Sequence, residues 1–248
     1  MLTYLNELSI FRGDPIVVGK GVSVHQPTLG EIENLGEDEY FNVVRTITAT
    51  PSDMIYQLTQ MGVDFTKISA YEMFYSMIYP MLTPDRTVLL FGTDFDFTEL
   101  KLHKNESTNE FALINDDESI FINKPIYDAM TETICKIHGL TPNLRTPANN
   151  AAKRGMIEDA EEAYFKGQKK EFTSTLLPMI SSMVVTPGFK HDEVTVFDMK
   201  IGAFIDAVKR SSHNRRADTY LQSGYSGFGI SLKDIDSNDI NYFSRLND

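Results

Sequence analysis

The chain has 248 residues, 42% hydrophobic and 23% charged, which excludes a wholly disordered protein and allows one large folded domain or two modest ones. Its single cysteine, Cys135, excludes an internal disulfide framework and any zinc site that needs two cysteines. The formal net charge of −12 lies entirely in residues 1–123, where 19 acids face 7 bases, so the first half repels a phosphate backbone and disfavours general nucleic-acid binding.

The opening "MLTYLNELSIFRGDP" has neither the basic leader nor the apolar core of a signal peptide. "PIVVGKGVSVHQP" reads as one or two short strands around Gly19 and Gly21, closed by Pro27. Thr28 and Glu31 then have the spacing of a capping box. Ile32, Leu35, Tyr40, Phe41 and Val44 supply the apolar face of one bent helix or two short ones, with the break at Gly36. Glu33, Glu37, Asp38 and Glu39 fall mostly off that face and suit the positive end of a helix, so the acidic cluster reads as structural and not as a metal site.

"TPSDMIYQLTQMG" predicts a further helix, with Thr50 as cap, Pro51 at its first position and Met54, Leu58 and Met61 as its stripe. Ser69 and Glu72 form a second capping box, opening a face of Tyr71, Phe74, Tyr75 and Ile78. A face rich in Met and aromatics packs as core or serves as adaptable surface, and Phe74 and Tyr75 are candidates for partner contact.

"TVLLFG" fits a strand or a helix end. From Phe97 the period changes to two, with Phe97, Glu99, Lys101 and His103 alternating with Thr98, Leu100, Leu102 and Lys104. A polar turn, a run with Phe111 and Leu113 and a third run, "SIFIN", complete a predicted β-meander. "NKPIYDAMTETICKIHG" is a helix capped by Asn123, with Pro125 early and Gly139 at its end; Ile126, Met130, Ile134 and Ile137 mark its face, and Cys135 reads as a buried thiol.

"LTPNLRTPANN" is an exposed linker by composition, and the charged "AAKRGMIEDAEEAYFKGQKKE" a helix with a weak apolar stripe. "FTSTLLPMISSMVVTPGF" is apolar enough to be buried, with a proline kink at Pro178, and too interrupted to span a membrane. Phe197, Ile201, Phe204, Ile205 and Val208 have helical spacing; a second short helix holds Ala217, Tyr220 and Leu221, and a last one begins at Asp236 or Ser237.

These elements predict an α+β fold, mostly helical, with a small central antiparallel β-meander. Residues 1–95 form a mainly helical part, 96–123 the meander and 124–248 a second helical part with a linker at 140–150, around a core they share.

Candidate chemistry is sparse. Pro84-Asp85 followed by Glu99-Leu100-Lys101 fits the loose pattern of metal-dependent nucleases with a proline–aspartate and a glutamate–any–lysine triplet. Asp85 and Glu99 would hold a divalent cation, and Lys101, on the same strand face, would orient the attacking water. Against it stands the acidic setting, since phosphodiester substrates meet basic grooves. "SGYSGFG" lacks the context of a phosphate-binding loop and reads as a turn presenting Tyr225 and Phe228 for packing or contact. Arg215 and Arg216 belong to the one concentrated basic patch, which decorates a helix end or meets an acidic partner. The five histidines show no paired metal-ligand spacing, and no cofactor is expected.

"VHQPTLGEIENLGEDEYF", "PSDMIYQLTQMGVDFTKIS", "IFINKPIYDAMTETI" and "YLQSGYSGFGISLKDID" together resemble small morphogenesis proteins of tailed bacteriophages infecting Gram-positive bacteria, in particular tail assembly chaperones and related tail or baseplate components. The resemblance implies a non-enzymatic protein of the host cytoplasm, or of the virion, that binds a phage tail protein such as the tape measure or tube protein. A permanent structural role in tail or baseplate is the alternative it leaves, and it leaves a homo-oligomer open. Eleven Met and 27 Phe or Tyr suffice for an apolar, adaptable surface that accepts an amphipathic helix.

Overall fold

A computed structural model describes residues 7–106, 109–226, 229 and 231–246. It is an α+β structure, mostly helical, with one two-stranded and one three-stranded antiparallel sheet among the described residues. Helix α1 (Glu7–Arg12) leads into a hairpin of β1 (Ile16–Gly19) and β2 (Val22–Val24), in which Ile16 pairs with Val24 and Val17 with Ser23.

Helix α2 (Leu29–Leu35) starts at the predicted capping box. The Glu31 amide donates to the Thr28 hydroxyl over 3.1 Å, and the Thr28 amide donates to the Glu31 carboxylate over 2.6 Å. Gly36, at φ +103°, supplies backbone that a side chain would strain, and the chain breaks there before α3 (Glu37–Thr48). Tyr40, Val43, Val44 and Ile47 give α3 its buried face.

The next helix begins later than the spacing suggests. Thr50 to Asp53 form a turn in which the Asp53 carboxylate accepts from both the Thr50 amide and its hydroxyl, at 2.9 Å each. Pro51 therefore lies outside α4 (Ile55–Gln60), because that carboxylate satisfies the turn before a helical bond can form. Helix α5 (Ala70–Met73) has the second capping box and passes through a π turn (Phe74–Ile78) into a 3₁₀ turn (Tyr79–Met81), where Pro80 lacks the N–H to continue an α pattern. "TVLLF" is helical, in α6 (Pro84–Phe91).

The meander comprises β3 (Lys101–Lys104), β4 (Phe111–Ile114) and β5 (Phe121–Ile122) in the order β3-β4-β5. Its first strand is shorter than predicted. Phe97–Glu99 form a 3₁₀ turn, because the Asp96 carboxylate accepts from the Thr98 amide at 2.7 Å and Phe97 turns into the core. The Tyr71 hydroxyl shares its proton between the carbonyls of Phe111 and Ile122, at 3.1 and 2.9 Å, which ties the sheet to the helices.

Helix α7 (Lys124–His138) crosses the centre, with the Asn123 side chain accepting from the Ile126 amide and Gly139 closing the helix at φ +59°. Residues 140–149 are irregular but tied down. Thr50 Oγ1 lies 2.8 Å from the Asn143 carbonyl, and Ser52 Oγ donates to the Arg145 carbonyl at 2.7 Å. Helix α8 (Asn150–Gly167) buries no residue and packs on α4. Helix α9 (Leu176–Val184) carries Pro178 in its first turn, where no earlier carbonyl is lost, so no kink forms.

Helix α10 (Ile201–Tyr225) runs unbroken through the stretch expected to hold two helices. Tertiary bonds span the weak "SSHN" region: Arg210 donates to the Tyr242 and Ser244 carbonyls at 2.9 Å each, and His213 Nε2 donates to the Asn241 carbonyl at 3.0 Å. The short α11 (Ser237–Ile240) is capped by Asp236.

Backbone hydrogen bonds join the starts of α2 and α10, two distant stretches of the chain. The Leu29 amide donates to the Met199 carbonyl and the Ile201 amide to the Pro27 carbonyl, both at 2.9 Å, so the start of α10 is zipped to the start of α2. One cluster of buried apolar residues runs from Val22 and Ile32 through Phe74, Leu113 and Ile134 to Phe204.

Candidate functional site

Three of the five acids between residues 31 and 39 are engaged in structure. Glu31 serves its own cap, and Glu39 pairs with Arg86. Glu37 reaches 138 residues along the chain, where its carboxylate accepts from the amides of Thr175 and Leu176 at 2.7 and 3.0 Å and from the hydroxyls of Ser174 and Thr175. It thus caps α9 from another helix, at the positive end where a carboxylate is favoured. Burial raises the Glu37 pKa, but the hydrogen bonds from Ser174, Leu176 and Thr175 outweigh it and hold it below the usual glutamate value. Only the off-stripe position of Glu37 was readable in the sequence; its partner was not.

The nuclease pattern does not fall on one strand face. Asp85 is exposed in the first turn of α6, Glu99 is exposed in the 3₁₀ turn, and Lys101 stands alone of the three on β3. The Lys101 ammonium is 2.5 Å from the carboxylate of Asp116, which lies in the connection between β4 and β5. Among the described residues no group of three or more His, Cys, Asp and Glu side chains is placed to hold a metal ion.

Two histidines are buried, and both are consumed by the fold. His138 Nδ1 is 2.7 Å from the Ile134 carbonyl, so it carries the proton, and Nε2 accepts from the Tyr40 hydroxyl at 2.7 Å. Burial pushes the His138 pKa down to about 4, against a smaller rise from the Ile134 bond. The Ser244 hydroxyl lies 3.2 Å from His213 Nε2, a spacing that suggests a nucleophile and its base. That nitrogen already donates to the Asn241 carbonyl, so it has no lone pair to take the serine proton. Cys135 is buried, and burial, followed by the nearby Asp53 and Glu132 charges, raises its thiol pKa, the reverse of what a nucleophile needs.

The partner-contact candidates separate. Phe74 is fully buried against Phe97 and Tyr127, so it belongs to the core. Tyr75 is half-buried and stacks on Phe111 at 5.0 Å between ring centres. Tyr225 is 81% exposed, whereas Phe228 lies outside the described residues. Arg215 is bonded to the Thr186 hydroxyl and Arg216 to Asp239 at 3.0 Å, mid-helix on α10 and not at a helix end.

The largest departure from expectation is α9. Its sequence, LLPMISSMV, carries no charge, and burial was expected throughout. Only Leu176 and Met183 are buried; Leu177 is 65% exposed, and Val185, just beyond the helix, is 77% exposed. The cap from Glu37 fixes the start of the helix, so the Leu176–Met183 edge meets the core while Leu177, Pro178, Ser181 and Ser182 face outward. No family model, no curated protein and no solved structure matches the chain.

Proposed function

We propose that the protein is a non-enzymatic morphogenesis protein of tailed bacteriophages, chaperone-like in action, which binds another tail protein such as the tape measure or tube protein. The observation that carries the binding role is the uncharged α9, buried on one side and exposing Leu177 and Pro178, with Val185 just beyond the helix, beside Ser181 and Ser182 on the other. Contiguous exposed apolar surface marks interaction sites on proteins, and Leu177 and Pro178 adjoin one another on this face. A helix face of this kind accepts the apolar stripe of a partner helix. The phage context rests on the sequence stretches that resemble tail morphogenesis proteins. No helix among the described residues is long and apolar enough to cross a membrane.

The test is affinity capture of the tagged protein from cells producing the phage, followed by mass spectrometry of the captured material and of purified particles. Capture of the tape measure or tube protein by the native chain, and its loss with Leu177→Asp, is the expected result. Capture of neither tail protein overturns the proposal. Presence in the particles at fixed stoichiometry identifies a permanent component in place of a chaperone.

A further inference from the structure

The segment between α7 and α9 is attached differently from the rest of the molecule. It leaves the body at Gly139 and rejoins it at Ser174, where Glu37 holds the chain. Between these points no residue of α8 is buried, although α8 is 18 residues long. Met156, Ile157 and Ala160 are half-buried against the edge of the core, and the polar and ring contacts of the segment go mostly to residues 50–66. Lys153 is 2.5 Å from the Asp64 carboxylate and lies over the Phe65 ring at 5.6 Å, and Tyr164 stacks on Tyr56 at 4.4 Å between centres. The Asn143 and Arg145 carbonyls hang on the hydroxyls of Thr50 and Ser52.

Three cavities lie along this segment. One of about 420 Å³ separates α8 from α4, one of about 410 Å³ lies between Leu144 and Phe65, and one of about 340 Å³ lies between residues 140–144 and α7, with Cys135 in its wall. These clefts open to solvent, so the segment meets the body over only part of its length, and its separation costs less than that of an element enclosed by close packing.

We propose that residues 140–173 are an arm that lifts from the body between two fixed anchors, Gly139 and Ser174, and uncovers the α4 face and the Cys135 groove while the core stays folded. The contacts that hold the arm are individually weak: the half-buried Met156, Ile157 and Ala160, an ion pair that is about a quarter exposed, the ring contacts of Tyr164 and Phe165 with Tyr56, and hydrogen bonds that join Asn143 and Arg145 to residues 50–53. The opening adds Tyr56 and Phe65 to the surface of the body. It is a property of the isolated chain and does not depend on the identity of any partner.

Cys135 is the only thiol of the chain and reports the opening directly. The purified full chain is treated with a maleimide across a urea series below the unfolding transition. The expected result is a labelling rate at least about tenfold above that set by global unfolding, with little urea dependence, as for a sub-global opening. Tyr164→Ala and Lys153→Ala each raise the rate about fivefold, the size of a lost stacking or cation–π contact, with the melting temperature of the core unchanged. Hydrogen exchange in the same variants accelerates together across α8 and stays slow in α7. A labelling rate that follows global unfolding overturns the proposal. So does a fast rate that neither substitution alters.

Discussion

At the scale of single residues, Tyr40 and His138 form a buried side-chain pair whose protonation state the fold dictates. The Ile134 carbonyl takes the Nδ1 proton, and the Tyr40 hydroxyl must then donate to Nε2. Tyr40→Phe leaves Nε2 unpartnered in the core and is expected to cost about 1–3 kcal/mol in urea unfolding. The pH dependence follows from the depressed His138 pKa of about 4. Above its unfolded pKa of about 6.5 histidine is neutral in both states; below it the unfolded chain binds the proton first. Stability is therefore lost as pH falls from about 6.5 to about 4, by on the order of 3 kcal/mol for this group. Urea midpoints taken from pH 7 to pH 4 should fall less steeply in His138→Gln than in the native chain; equal slopes would assign the loss to other groups. Sequence reading placed His138 near a helix end but gave no sign of Tyr40, because the two are 98 residues apart.

At the scale of elements, capping decides more than propensity. Both capping boxes and the Asn123 cap were legible because a cap and its amide are within three residues of each other. The cap of α9 was not, since Glu37 comes from α3. Glu37→Ala is expected to cost about 1–2 kcal/mol, as cap removal does, and to loosen α9 selectively in hydrogen exchange. The two edges of α9 should respond in opposite ways. Leu177→Asp is expected to change stability by no more than about 0.5 kcal/mol, whereas Met183→Asp, which buries a carboxylate, should cost more than about 3 kcal/mol. Thermal melts of the two variants decide this, and equal losses would mean that the outward edge of α9 is packed. The 3₁₀ turn at 97–99 has the same lesson in reverse: a local Asp96 cap and the burial of Phe97 overrode an alternation that favoured a strand.

For the whole molecule, charge is the dominant long-range feature. The first 123 residues hold the entire excess of acid, and the ion pairs they make, such as Arg86 with Glu39 and Lys101 with Asp116, leave most of it unpaired. Screening that self-repulsion should outweigh the weakening of the surface pairs. Raising sodium chloride from 20 mM to 500 mM is expected to raise the melting temperature, by about 2–4 °C for each kcal/mol recovered. A melting temperature that falls with salt would show that the ion pairs matter more than the excess charge. The zipper between the starts of α2 and α10 joins residues near 28 to residues near 200, so the acidic and neutral halves share one apolar cluster.

The sequence by itself determined the class of the fold, strand structure around Gly19 and Gly21, both capping boxes, the break at Gly36, the meander and the limits of α7. Each rests on a period or on partners within four residues, and such short-range physics survives without knowledge of the fold. Tertiary structure alone decided that Phe74 is core, that Glu37 caps α9, that α10 is continuous, and that α9 is left half uncovered. An apolar run records the capacity to be buried. Which of its edges meets the body depends on the orientation that distant residues impose.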